Sequence, residues 1–279
     1  MKIIFVNIVT FLLFFSSVTA QDFSLRNQYN FARDLFDNEL YFDAVTEFKR
    51  LLFFDEEKKF AYDSHLTIGL AYKAGGKFSE ALDHFTLAVM AADTSDKIFR
   101  AKLEKVKINI LRRSTEQAFQ ILNQLKNNPE FSEYEDKIKY WEGWAYIFKD
   151  DWKAAAERFG QINPNHQLKK TALNVDEKKY SVTFAKVISY ILPGAGQIYT
   201  GHYWPGFLSF GWNALFGYLS INAFVEDRIF DGIIISNLLW FRFYRGNIQN
   251  AEKFAFGENR KISNRALKYL QNDYTGEKP

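Results

Sequence analysis

Two hydrophobic patterns divide this chain. Between about residues 25 and 165 the apolar and small positions recur at helical spacing and return in register after a fixed interval. Ala44, Ala81, Ala118 and Ala155 lie 37 residues apart. Four residues after each stands Phe48, Phe85, Leu122 or Phe159, and three further on Leu51, Ala88, Leu125 or Ile162. Twelve residues before each alanine are Ala32, Gly69, Val106 and Gly143; three before are Tyr41, Phe78, Thr115 and Trp152. Small residues mark where two helices touch and bulky ones fill the space around them, so the pattern predicts four helix–turn–helix units. Their turns fall at Asn38, Gly75-Gly76, Arg113 and Asp150-Asp151.

From residue 184 the pattern changes. Trp204–Phe224 and Ile229–Tyr244 are long apolar runs separated by the polar turn Glu226-Asp227-Arg228. The first has about twenty residues, the length that crosses a hydrocarbon core of about 30 Å; the second is at the short end of a span. Tyr199, Tyr203, Trp204, Trp240, Phe241, Phe243 and Tyr244 crowd their edges as interfacial aromatics do. Gly206, Gly211, Ala214 and Gly217 offer small faces for close helix contact. The pattern predicts a membrane hairpin; a buried helical pair in a globular domain is the alternative. Phe184–Leu192 is too short to span and is interrupted by Pro193 and Gly194, which suits a re-entrant or interfacial segment. The freed backbone groups around PGAGQIYTG need internal partners in lipid, and Gln197, His202 and Asn213 are the candidates.

The repeated half resembles tetratricopeptide repeats. The second unit carries that family's spacing most fully, with Gly69, Tyr72, Gly76, Phe78, Ala81, Phe85 and Ala88. Ala32, Ala44 and Phe48 carry it in the first unit, Ala118 in the third, and Gly143, Tyr146, Trp152, Ala155 and Phe159 in the fourth. The third departs from the pattern with Asn109 and Thr115 at positions that are usually bulky, and the period is 37 where the family's is 34. The resemblance implies a superhelix whose concave face binds a protein or peptide partner, with Asn27, Asn30, Asp34, Lys73, Lys107 and Asn109 as polar candidates to line it. The run Pro193, Gly194, Gly196, Gln197, Tyr199, Gly201 resembles the PGxGQxYxG signature of small bacterial membrane proteins, and Tyr244, Gly246 and Asn247 fall in a second signature of that group. Both are more distantly similar to two-helix TM2 domains. This resemblance implies architecture and location, not an activity.

The expected fold is therefore all-α: a solenoid of about four helix pairs, then a small transmembrane hairpin. The expected layout is a secretory signal over 1–20, repeats over 21–165, a linker over 166–183, a membrane module over 184–250 and a polar tail over 251–279. Within the module, helices are expected near 204–224 and 229–245, and the re-entrant segment over 184–199. The signal reading rests on Lys2, the apolar core Ile3–Phe15 and the small-residue site Val18-Thr19-Ala20. Export followed by a hairpin returns the basic tail (Arg245, Lys253, Arg260, Lys261) to the outside, against the positive-inside tendency; a third crossing would remove the conflict, and the hairpin is preferred.

Chemistry narrows the picture by subtraction. The 279 residues hold no cysteine, which removes disulfides, thiolate metal sites and thiol nucleophiles. A formal charge of +3 points to no nucleic-acid partner. No phosphate loop, nucleophile elbow or zinc-protease motif is present, so no catalytic residue, cofactor or metal is expected. The expected function is a membrane-anchored adaptor in a bacterial envelope, at the inner membrane with its repeats in the periplasm and with membrane lipid and a protein as partners. The alternative is a membrane enzyme or a transport or insertion accessory subunit acting at PGAGQIYTG.

Overall fold

The computed structural model describes residues 24–279, and every regular element among them is helical. The expected signal segment lies outside the described residues. The chain divides into two compact units, one ending at Lys169 and the other spanning Lys170–Lys278.

Unit 1 is a row of antiparallel helix pairs. Its described elements are α1 (24–37), α2 (Tyr41–Phe54), α3 (Ala61–Ala74), α4 (Phe78–Ala91), α5 (Ser95–Leu111), α6 (Thr115–Lys126), α7 (Glu135–Phe148) and α8 (Trp152–Ile162). A 3₁₀ segment, Pro129–Tyr134, precedes α7. The repeating alanines are sealed inside, with Ala44 at 1% exposure and Ala81, Ala118 and Ala155 at 0%. A Cβ on Gly69 would come within 2.5 Å of the Phe85 ring, and one on Gly143 within 2.5 Å of the Phe159 ring. These glycines therefore mark where the second helix of a pair presses its aromatic ring against the backbone of the first. Helices α3, α5 and α7 touch one another in succession, and no comparable contact joins α4 to α6 or α6 to α8. The first helices of the pairs thus form one row and the second helices the other.

The turn inside each pair repeats at the level of the backbone. Glu39, Gly76, Arg113 and Asp150 all have left-handed φ, at 61°, 70°, 59° and 68°. After each, the next residue's N–H closes back onto the helix: Leu40 to Leu35, Lys77 to Tyr72, Ser114 to Asn109 and Asp151 to Tyr146. These are helix-ending motifs that satisfy orphaned carbonyls, and glycine is the residue they favour. Only the second unit supplies one.

Unit 2 holds the rest of α9 (Gln167–Lys178), then α10 (Val182–Ile191), α11 (Ala195–Tyr199), α12 (Tyr203–Val225), α13 (Ile229–Ile234), a π segment (Ile235–Trp240) and α14 (Phe241–Asn272). The stretch expected as a linker contains α9. The expected re-entrant segment is α10, a turn and α11. The second helix of the hairpin does not stop near 245, and the expected polar tail is mostly the second half of α14, which buries Ala251, Ala255, Ser263 and Leu270.

The expectation of membrane-spanning helices finds no support in helix length and hydropathy: no described helix is long and apolar enough to cross a membrane. α12, with 23 residues, is about 35 Å long, but Asn213, Asn222, Ser209, Ser220 and its glycines dilute its apolar character. Its burial is nonetheless inverted. The residues it buries are Gly206, Asn213, Gly217, Ser220 and Ala223, while Trp204 is 74% exposed and Tyr218 and Val225 are also open, as is Phe230 of α13.

Candidate functional site

The two glycine-bearing motifs meet in unit 2. Each residue of the first has a mechanical part in that meeting. Pro193 and Gly194 are the central residues of a turn closed by the Ala195 N–H on the Leu192 carbonyl. Gly194 has φ +92°, so the turn is of type II, which places proline first and glycine second. A Cβ on Gly194 would also lie 2.1 Å from the Gly206 carbonyl oxygen. Gly196 is where three helices converge. Its Cβ would stand 2.2 Å from the Ala185 carbonyl oxygen of α10 and 2.6 Å from the Ala251 Cβ of α14. Gly201, at φ +81°, ends α11, and His202 N–H closes onto the Gln197 carbonyl at 2.8 Å. The Tyr199 hydroxyl accepts from the Ser181 N–H at 3.2 Å.

The second motif supplies the keystone, Asn247. Its Oδ1 accepts from the Gly194 N–H at 2.7 Å, from Gln197 Nε2 at 3.0 Å and from Ser209 Oγ at 3.0 Å. Its Nδ2 donates to the Ser189 carbonyl at 2.9 Å. Gln197 Nε2 also reaches the Asn247 backbone oxygen at 3.0 Å, and Ser189 Oγ accepts from the Gly196 N–H at 3.0 Å. Ser189, Gln197 and Asn247 are all buried. Tyr244 donates to the Tyr190 carbonyl at 2.8 Å. One asparagine thereby ties α10, the turn before α11, α12 and α14 together. Gly246 is different: nothing lies within 4 Å of where its Cβ would be.

Of the three residues expected to partner the broken backbone, Gln197 bonds instead to Asn247 across the junction, and the freed Gly194 and Gly196 N–H groups go to Asn247 Oδ1 and Ser189 Oγ. Asn213 bonds within its own helix, to the Ser209 carbonyl at 2.7 Å. His202 lies against Thr200, stacks on Phe254 with ring centroids 4.0 Å apart and has Nε2 3.6 Å from a Glu258 oxygen. Two buried acceptors, Gln197 Oε1 and Asn213 Oδ1, have no hydrogen-bond partner. Ser189, Ser209 and Asn259 were not singled out from the sequence. Asn259 grips Tyr180 through both of its backbone groups, at 2.8 Å and 2.9 Å, and so pins the start of α10 to α14. Ser189 had a signal, as a lone hydroxyl inside an apolar run; Asn259, one polar residue among many, had none. The donor set at the junction is amides, hydroxyls and backbone. It can hold segments in place, and it offers no nucleophile–base pair.

In unit 1 the structure places the concave-face candidates unevenly. Asn27, Asn30 and Asp34 are exposed. Lys73 and Lys107 instead converge on the buried Glu104, at 3.2 Å and 2.5 Å, and Lys107 lies 5.0 Å over the Trp141 ring. Burial works to raise the Glu104 pKa, but the two ammonium groups outweigh it and hold the carboxyl below its usual value. Asn109 bonds back to the Lys105 carbonyl at 2.9 Å, a polar group spent within its own helix. The buried Glu142 carboxylate is met by Arg158 at 3.2 Å. His65 and His84 face each other with Nδ1 atoms 3.2 Å apart. No group of three or more potential metal ligands occurs among the described residues.

No family model matches the chain, and neither a curated protein nor a solved structure matches it.

Proposed function

We propose that the protein is a membrane-held adaptor of a bacterial envelope. In this reading unit 1, as a set of tetratricopeptide-type repeats, recruits a protein or peptide partner on its row of first helices. Unit 2 seats its hairpin among lipid acyl chains and keeps the partner at the membrane. The observation that carries the reading is the inversion of the hairpin. Large aromatic and aliphatic side chains face outward from α12 and α13, whereas glycine, serine and asparagine are buried between the helices. Contiguous exposed apolar surface on that scale needs a cover. Small residues inside and hydrophobic ones outside are what an apolar solvent selects. The junction at Asn247 fits the same reading, since backbone groups released by Pro193 and Gly194 are satisfied internally.

The absence of cysteine makes the test direct. Asn30→Cys and Phe230→Cys are each introduced and labelled with a membrane-impermeant maleimide. Phe230→Cys is expected to be protected in membranes and to react once detergent is added, while Asn30→Cys reacts in both. Equal reaction of Phe230→Cys in both conditions overturns the reading. The unpartnered acceptors Gln197 Oε1 and Asn213 Oδ1 favour a second reading, in which a small polar ligand docks at the junction and unit 2 is an enzyme or transport accessory. That reading requires activity to fall with Gln197→Ala while truncation of unit 1 is tolerated.

A further inference from the structure

Unit 2 contains a second site, away from the junction. A cleft of about 650 Å³ opens between α9 and the last third of α14. Lys170, Asn174 and Lys178 are spaced four apart and so share one face of α9, with Val175 beside them. Opposite them, α14 contributes Ile262, Arg265 and Ala266. The cleft is thus floored by apolar side chains and rimmed by three cations, and no carboxylate lines it. Asp176 and Glu177 of α9 lie off this face. Glu258, the acid on α14 that senses Arg265, is already held by Lys261 at 2.7 Å. Neither lysine nor Arg265 is in an ion pair among the described residues. Three uncompensated cations around one apolar cleft repel one another until an anion arrives.

We infer that this cleft binds the phosphate of an anionic phospholipid, with the glycerol and the first methylenes against Val175, Ile262 and Ala266. The volume is that of a small-ligand site. Its position argues for a lipid over a free anion. Phe256, 58% exposed, precedes Arg265 on α14 by nine residues, about 14 Å along the helix. The exposed Phe184 of α10 lies on the segment that Asn259 pins to α14. The cationic cleft therefore stands just beyond the apolar surface, where head groups would be. The inference rests on the membrane reading of unit 2, and its test does not require insertion.

Full-length protein in detergent is titrated calorimetrically with short-chain phosphatidylglycerol, short-chain phosphatidylcholine and inorganic phosphate. Phosphatidylglycerol is expected to bind at least about tenfold more tightly than either of the others, with the preference falling as salt is added. The triple variant Lys170→Gln, Lys178→Gln, Arg265→Gln should lose that preference with its helical circular dichroism intact. Lys178→Gln alone, the milder change, should weaken phosphatidylglycerol about fivefold. Equal binding of the two lipids, or a preference that survives the substitutions, overturns the site. Inorganic phosphate binding as tightly as phosphatidylglycerol overturns the lipid and assigns a soluble anion. Failure of the membrane reading would show separately, as Phe230→Cys labelling in membranes.

Discussion

Removing the Asn247 side chain is the sharpest perturbation of unit 2. In Asn247→Ala, Gln197 Nε2 keeps the backbone oxygen of residue 247 at 3.0 Å, and Ser209 is only half-buried. Two groups lose their partner outright: the Gly194 N–H, bonded at 2.7 Å, and the Ser189 carbonyl, bonded at 2.9 Å, whose helical donor would have been the N–H that Pro193 lacks. Each buried group left unsatisfied costs about 1–3 kcal/mol, so the loss should come to about 3–4 kcal/mol. For a unit of this size that is about 10 °C or more in Tm. Asn250→Ala, exposed on the same helix, serves as the control and should stay within about 0.5 kcal/mol of wild type. Thermal unfolding of the full-length protein in mild detergent reads the shift. Hydrogen exchange over residues 193–201 locates it, because the Gly194 amide should lose its protection first. A shift below about 2 °C with unchanged protection at Gly194 would refute the assignment of Asn247 as the residue that joins the motifs.

Three further outcomes follow from the same geometry. Gly196→Ala drives a methyl into the Ala185 carbonyl and the Ala251 side chain, so it should cost more than about 3 kcal/mol; Gly246→Ala meets open space within a helix and should be neutral or stabilising by up to about 1 kcal/mol. Arg113→Gly relieves a left-handed residue at the turn between α5 and α6, and thermal melts should show a gain of about 0.5–1 kcal/mol. Burial lowers the pKa of both His65 and His84; His84 falls to about 4, with the neighbouring His65 and then Lys49 adding to the effect and Asp83 opposing it. The unfolded chain therefore takes up protons that the folded chain refuses. Stability should be full above about pH 6.5 and decline as pH falls toward 4, by about 1–2 kcal/mol once the half-exposure of the pair is allowed for. Urea unfolding across that range should show the slope, and His84→Gln should flatten it.

The repeat was legible because it is written in side-chain size. The alanines spaced 37 apart are among the most buried positions of their helices, and Gly69 and Gly143 sit opposite the rings that the pattern set against them. The left-handed turns were less legible. Glu39, Arg113 and Asp150 are not residues that announce such a backbone, and only their common phase with Gly76 gives them away. In unit 2 the motif residues were visible, but their partners were not. Asn247 meets Gly194 across 53 positions of sequence, and no local pattern states that distance. The second half of α14 was obscured by its charge. Ala251, Ala255 and Ser263 recur at helical spacing beneath a run of lysines, arginines and glutamates, and a polar composition reads as a tail before it reads as one face of a helix.

The two units apply opposite rules to the same residue types, which is why composition alone could not separate them. In unit 1 the phenylalanines Phe48, Phe85 and Phe159 are sealed in the core, and the charged network of Lys73, Glu104 and Lys107 is tolerated only because each charge finds a partner. In unit 2, Phe207, Phe210, Phe224 and Phe230 point outward while Asn213, Gln197 and Asn247 are enclosed. Under the proposed membrane reading those rings face lipid, and the enclosed amides are bonded to one another or to backbone. At the junction Asn247 Oδ1 takes the Gly194 N–H that the turn at Pro193 withdraws from regular helix, and Ser189 Oγ takes the Gly196 N–H. The glycine-rich motif and the inverted hairpin are therefore one device. The motif lets the chain turn without leaving bare backbone, as the proposed membrane setting of the turn would require.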